Sequence, residues 1–292
     1  MTQVLFNIIS TASLYLLIAL SFSIIYYCTK FFHLAQAAVI SSAAYFVYLF
    51  NQQLQLGLII SILLSVILSV IVSIILEIFI YSPLRKRNTS PLGLMIASIG
   101  MYVVLQNIIS LSWGDSTLRL NTFQVEEGNN ILGALVTNVQ LITFFVSLVL
   151  FVSVIFVSKY STFGISLRAV SDNPELSNIY GINSNKVILF SFILGSALAA
   201  CAGILSAADT NMTPTFGFNL LLYGVVVMII GGIGSYKGLV GGALLVSAAQ
   251  HLAAFYIDTK WMEAMAYLIL IVFLIWKPYG FSGNRLRKVE IN

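Results

Sequence analysis

Charge is what these 292 residues have least of: Asp, Glu, Lys and Arg make up 8% of the chain, against 59% hydrophobic residues and a mean hydropathy of +0.99. So little charge excludes an ordinary soluble globular domain. Cysteine is almost missing. Cys28 and Cys201 both lie in or beside apolar tracts, so they read as small core residues and imply neither a disulfide framework nor a metal site. His33 and His251 are too far apart to be a motif-type metal pair, and neither H-E-x-x-H nor G-x-S-x-G occurs. The phosphate-binding pattern G-x-x-x-x-G-K-S/T is also missing, because Lys237 follows glycines but is followed by Gly238. No catalytic set, no metal and no cofactor of its own are therefore expected, and the chain has no basis for hydrolysing ATP.

What is present is a series of apolar tracts long enough to cross about 30 Å of hydrocarbon. Candidate spans fall near 4–29, 33–50, 57–80, 91–113, 138–158, 187–207, 219–235, 238–256 and 262–276, so the expected fold is an all-α polytopic membrane bundle of about eight to nine spans, some interrupted. Met1-Thr2-Gln3 carries no basic side chain and no small-residue cleavage site follows the first tract, which reads as a retained span. Alternating sides collects Lys30, Arg85, Lys86, Arg87, Lys159, Arg168, Lys186, Lys237, Lys277, Arg285, Arg287 and Lys288 on one side, leaving Arg119 and Lys260 opposite. By the positive-inside rule the crowded side is cytoplasmic, with the N-terminus outside and the C-terminus inside. The net charge of +4 thus sets topology, and a nucleic-acid partner is not expected.

One domain, 1–292, is expected, with an outer segment at 114–138 and a cytoplasmic segment at 159–186. In the outer segment Leu118 and Leu120 alternate with polar neighbours and Glu127 to Asn130 offers a turn, so a small hairpin is expected there. No close internal repeat is visible, which leaves room for a diverged one. Glu77, beside Arg85 to Arg87, reads as a solvated, ion-paired span end, and Asp209 and Glu263 as outer-end residues. With no ionisable residue in mid-span, a proton-coupled carrier or intramembrane hydrolase is disfavoured.

Several polar or glycine-rich places interrupt the tracts. His33, Gln36, Ser41 and Ser42 open the second, and these either line a solute path or cap a helix at the inner interface. Gln106 and Asn107 in the fourth are either path-lining or interhelical glue. Gly231, Gly232, Gly234, Gly238, Gly241 and Gly242 join the seventh and eighth, six of the chain's twenty glycines, and are expected to serve tight packing or a helix break. The most informative stretch is the polar island from Leu167 to Asn183. Asn173 suits an N-cap, Pro174 the first helical position, Glu175 the first turn, and Gly181 the residue that ends the helix. Leu176, Ile179 and Tyr180, at i, i+3 and i+4, give that short helix one apolar face.

Tyr160-Ser161, Gly164, Arg168-Ala169 and Gly181-Ile182-Asn183 resemble the cytoplasmic loop of branched-chain amino-acid ABC transporter permeases, the LivH-like family. The resemblance continues through Leu105-Gln106-Asn107, Ser110-Leu111, Gly195, Ala199-Ala200, Ala202-Gly203-Ile204, Pro214 and Gly217-Phe218. It extends into Gly231 to Ser235, Gly238, Gly241-Gly242, Pro278-Tyr279-Gly280 and Gly283. It implies a permease subunit of the bacterial plasma (inner) membrane that imports branched-chain or other neutral amino acids. The implied partners are a second, LivM-like permease, two ABC ATPases that bind ATP and Mg, and an extracytoplasmic substrate-binding protein. The island would be the coupling helix on the ATPase, with Arg168, Asp172, Asn173, Pro174, Glu175, Leu176, Ile179 and Gly181 its candidate contact or fixing residues. At 33–38 the chain reads His-Leu-Ala-Gln-Ala-Ala, without the glycine and acid usual in the family there. Related permeases serve urea and short amides, and a stand-alone channel is the alternative from another class.

Overall fold

A computed structural model describes residues 1–120, 128–131, 133–277, 280 and 281. Twelve helices follow in order among these: α1 (Thr2–Thr29), α2 (Gln36–Tyr48), α3 (Leu58–Leu76), α4 (Ser82–Lys86), α5 (Pro91–Trp113), α6 (Asn138–Tyr160), α7 (Thr162–Asp172), α8 (Pro174–Ile179), α9 (Ser184–Asp209), α10 (Phe216–Gly231), α11 (Tyr236–Tyr256) and α12 (Met262–Trp276). A wide π turn, Glu77–Tyr81, fuses α3 to α4, and another, Leu49–Gln53, prolongs α2. Seven segments are long and apolar enough to cross a membrane. The expected count of eight to nine also includes α2 and α10, whose 13 and 16 residues reach roughly 20 and 24 Å at 1.5 Å per residue.

Contacts between connecting segments sort the bundle into two ends. At one, Gln3 exchanges hydrogen bonds with the Leu135 backbone, Gln52 donates to the Arg119 carbonyl, and Leu118 bridges to Met212. At the other, Tyr236 bonds Ser158, the Cys28 thiol points at the Leu167 carbonyl, and the Phe281 amide meets Ile230 O. The first is the N-terminal end, the second the α8 end.

The expected hairpin forms, shifted along the chain. Strands β1 (Asn129–Ile131) and β2 (Ala134–Val136) pair antiparallel, and the turn falls at Gly133, with φ +80°. Glycine takes that left-handed conformation without a Cβ clash, so it decides where the chain reverses. Glu127 lies outside the described residues, as do Pro278, Tyr279, Gly283, Arg285, Arg287 and Lys288.

Helices α1 and α9 form the buried centre, and α5 and α12 lie on the outside. Packing follows an inverted two-fold pattern. α1 packs on α9, α10 and α11, while α9 packs on α1, α2 and α3; α2 meets α3 and α5 as α10 meets α11 and α12. Each helix of the first set runs opposite to its counterpart between the two ends, with α6 to α8 as the connection. That is the diverged repeat for which the sequence left room, and inverted repeats are a recurrent plan for transport bundles. Glycines set two of these crossings: a Cβ on Gly203 would come 2.3 Å from Ile40 O, and one on Gly217 2.3 Å from Ala37 O, so α2 meets α9 and α10 where no side chain fits.

Glu77 departs from expectation. It is ion-paired with Arg85, through Nη2–Oε1 and a second contact at 3.1 Å, but it is buried at 2% exposure rather than solvated. The π turn carries α3 straight on into α4, and Arg85, eight residues further along, reaches back to the carboxylate.

Candidate coupling loop and polar positions of the bundle

The island is more helical than its sequence suggests. α7 occupies its first half, entered through Ser161, whose hydroxyl accepts from the Gly164 amide at 3.2 Å. Glycine is required at 164, because a Cβ would lie 1.9 Å from Ser158 O. α7 buries Leu167 and Val170 against the bundle and turns its polar face outward.

α8 then forms where the caps indicate. Asn173 Oδ1 accepts from the Leu176 amide at 2.9 Å, and Pro174 opens the helix. At the far end the Ile182 amide reaches Ser177 O at 2.9 Å and the Gly181 amide reaches Asn178 O at 3.1 Å, with Gly181 at φ +85°. This double closure satisfies carbonyls the helix leaves free. Ser184 locks the element from below, donating to Pro174 O at 2.8 Å while its amide meets Asn178 Oδ1 at 3.0 Å. Sequence reading missed Asn178 and Ser184, because hydrogen bonds six and ten residues apart leave no periodic signal.

The result is a fixed six-residue helix with its apolar face outward. Leu176, Ile179 and Tyr180 are 50%, 80% and 79% exposed, and Glu175 stands exposed beside them. Arg168 stays exposed but lies along the end of α6, Nη1 donating to Ser158 O at 2.7 Å. Asp172, exposed at the end of α7, acts on Lys30. Burial pushes the Lys30 ammonium below its ordinary range, and the neighbouring Cys28 and Asp172 oppose that shift. Through Ser158, whose hydroxyl meets Tyr236 OH at 2.5 Å, α6 and α7 also touch the turn between α10 and α11.

Within the bundle the polar positions of the second tract are buried. Gln36 donates to Ser21 Oγ at 3.0 Å, linking α2 to α1. Ser41 Oγ donates to Pro214 O and accepts from the Gly217 amide, both at 3.2 Å, linking α2 to the start of α10. Ser42 bonds its own helix at Val39 O, and His33 lies among the rings of Phe31, Tyr81 and Phe192. Ser98 on α5 accepts from the amides of Leu34 and Ala35, which replaces the missing turn before α2. On the half of α5 nearer the N-terminal end of the bundle, Gln106 is partly buried and Asn107 is exposed, its amide bonded to Val103 O at 2.7 Å.

The glycine run packs and breaks as its spacing suggests. Gly231 and Gly238 face each other so closely that a Cβ on Gly238 would sit 1.8 Å from Gly231 O, and one on Gly242 would sit 2.7 Å from Val227 O. Gly232 and Gly234, at φ +89° and +81°, turn the chain between α10 and α11. Gly241 meets the Phe281 ring at ordinary contact distance.

Residues 4–274 match the family described as the permease component of branched-chain amino acid transport systems. The chain is 29% identical over 209 residues to the high-affinity branched-chain amino acid transport system permease protein LivH of Salmonella typhimurium, covering 70% of this chain and 67% of that one. It is 32% identical over 211 residues to BraD of Pseudomonas aeruginosa, described in the same terms, with the same coverage. A xylose transport system permease, XylH of Haemophilus influenzae, is 30% identical over 130 residues, 42% of this chain and 34% of that protein. No solved structure matches. A multi-pass inner-membrane bundle, a capped polar helix at one end and a family match over nearly its whole length together establish that the chain belongs to the permease family of branched-chain amino-acid transport systems.

Proposed function

We propose that this chain is one transmembrane subunit of an ATP-driven importer of branched-chain or other neutral amino acids. It would pair with a second, related permease, seat α8 on an ATPase, and receive solute from an extracytoplasmic binding protein. The observation that carries the reading is α8 itself. An apolar face at 50 to 80% exposure on a helix fixed at both ends is costly to leave in water and needs a partner surface. Two linked anchors make it a lever. Arg168 ties α7 to the end of α6, and Ser184, the first residue of α9, ties α8 to α9, so a push on α8 reaches two spans directly. Energy enters from the ATPases, which hold ATP and Mg, since this chain has no phosphate-binding loop. The names borne by LivH and BraD support branched-chain amino acids as cargo, and the departure at His33 to Ala38 keeps urea or a short amide as the second reading.

The test is assembly and uptake with the neighbouring transport subunits co-expressed. Replacing Leu176, Ile179 and Tyr180 together by serine is expected to abolish ATPase co-purification and leucine uptake while the thermal midpoint of the isolated permease stays put. Assembly and uptake at wild-type levels would rule out the coupling role. Uptake of urea rather than leucine by the intact complex would select the second reading.

A further inference from the structure

A cavity of about 240 Å³ opens at the N-terminal end of the bundle, opposite α8, bounded by α1, α6, α9, α10, α11 and the start of α12. Its polar lining includes Thr11, Thr143, Asp209 and His251, and its apolar lining Leu14, Leu205, Leu220 and Met262. The polar side is ordered: Thr11 Oγ1 and His251 Nε2 are 2.9 Å apart, and one residue along α11 Gln250 accepts from Tyr15 OH at 2.8 Å.

Asp209 is the charged group of the lining. It ends α9, where the helix dipole already places negative charge, and such an end favours a cation. It is solvent-exposed, so a cationic solute can reach it, and among the described residues the ion pair is Glu77 with Arg85. The nearby field is negative as well, since Glu263 acts on Tyr15, Tyr223 and Tyr267, with the Tyr15 and Tyr223 rings 5.1 Å apart. A divalent metal is a poor complement, because such an ion takes six or more oxygen ligands and no group of three candidate ligands occurs among the described residues. A small organic ammonium fits better, with aliphatic walls for its body and hydroxyl and imidazole groups for a carboxylate.

We propose that this cavity is a waypoint of the imported solute, which it receives as an aliphatic α-amino acid with the ammonium on Asp209. Thr11, Thr143 and His251 face the carboxylate, and Leu14, Leu205 and Leu220 the side chain. The inference rests on the amino-acid importer reading and adds a site and a recognition rule to it. Urea, short amides and pentoses carry no cation for Asp209 and would gain nothing from it.

The purified chain in lipid nanodiscs tests it, with L-leucine, 3-methylbutylamine and 4-methylpentanoate as probes in saturation-transfer NMR. Leucine and the amine are expected to bind, and the carboxylate analogue to bind more weakly by about tenfold or more. Asp209→Asn should weaken the first two by a similar factor and leave the third unchanged, while Asp209→Glu retains binding. Unchanged thermal stability in both variants separates lost recognition from lost fold. Equal leucine binding by Asp209→Asn and wild type, or no binding of leucine and the amine to wild type, overturns the proposal. A wild-type complex that fails to import leucine while binding in nanodiscs persists would overturn the importer reading and leave the cavity's ligand class standing.

Discussion

Arg168 and Asn173 show how single side chains hold a loop to the bundle and start a helix within it. Arg168 gives a charged hydrogen bond to the last turn of α6, and Asn173 satisfies the free Leu176 amide in the first turn of α8. Asn173→Ala is expected to cost about 1 kcal/mol of local stability, as N-cap losses do. It should appear as faster amide exchange over α8 with the spans unchanged. Arg168→Ala removes a bond of a class worth about 1.5–3 kcal/mol, so exchange should quicken across α7 as well. If α7 stays as protected as in wild type, Arg168 has no anchoring role. Both residues were legible in the sequence as belonging to the loop. That Arg168 bonds the end of α6 was not, since its acceptor is a backbone carbonyl, which every residue offers.

At the scale of elements, the spans are patterned inside out. On α3, Ser61, Ser65, Ser69 and Ser73 are fully buried at four-residue spacing, while Ile59, Leu63, Ile67, Ile71 and Ile75 are exposed. Lipid accepts the isoleucines, and the serines let the helix approach α2 and α9, with Ser61, Ser65 and Ser69 bonding their own preceding carbonyls, as Ser65 does to Ser61 O at 2.6 Å. Ser69→Leu is therefore expected to overpack the crossing and lower stability by about 1–3 kcal/mol, whereas Ile67→Leu should be near neutral by thermal melting in detergent. The α10–α11 crossing sharpens the contrast. Gly238→Ala should prevent recovery of a folded protein, while Gly241→Ala, with only the Phe281 ring in contact range, should melt within about 0.5 kcal/mol of wild type. Breaking the buried Glu77–Arg85 pair on one side by Arg85→Gln strands a carboxylate and should cost about 3–5 kcal/mol. Adding Glu77→Gln to that variant should restore most of it.

For the whole molecule, the two ends form a chemical contrast. One end presents a fixed apolar helix among basic loops; the other holds a small hairpin and the cavity lined by Asp209. Sidedness follows from the basic residues, and in cells with Cys28 and Cys201 replaced by alanine it can be read directly. A membrane-impermeant thiol reagent added outside should label Leu135→Cys and spare Ile179→Cys, and permeabilisation should expose the second. Labelling in the reverse order would invert the bundle and remove α8 from the ATPase side.

Composition, the spacing of apolar tracts and cap chemistry were enough by themselves to establish a helical membrane protein and the capped helix within its polar island. Those are local or additive properties: hydrocarbon thickness, charge counting and cap chemistry act within a few residues. Tertiary structure alone decided the rest. It paired helices from the two halves in an inverted pattern, buried Glu77 beside Arg85, and turned Gln36 and Ser41 into joints between helices. It also gathered Thr11, Asp209 and His251 around one cavity. Residues some 240 positions apart meet there because each fits its neighbour's shape, and no periodicity within one segment records which distant segment that neighbour will be.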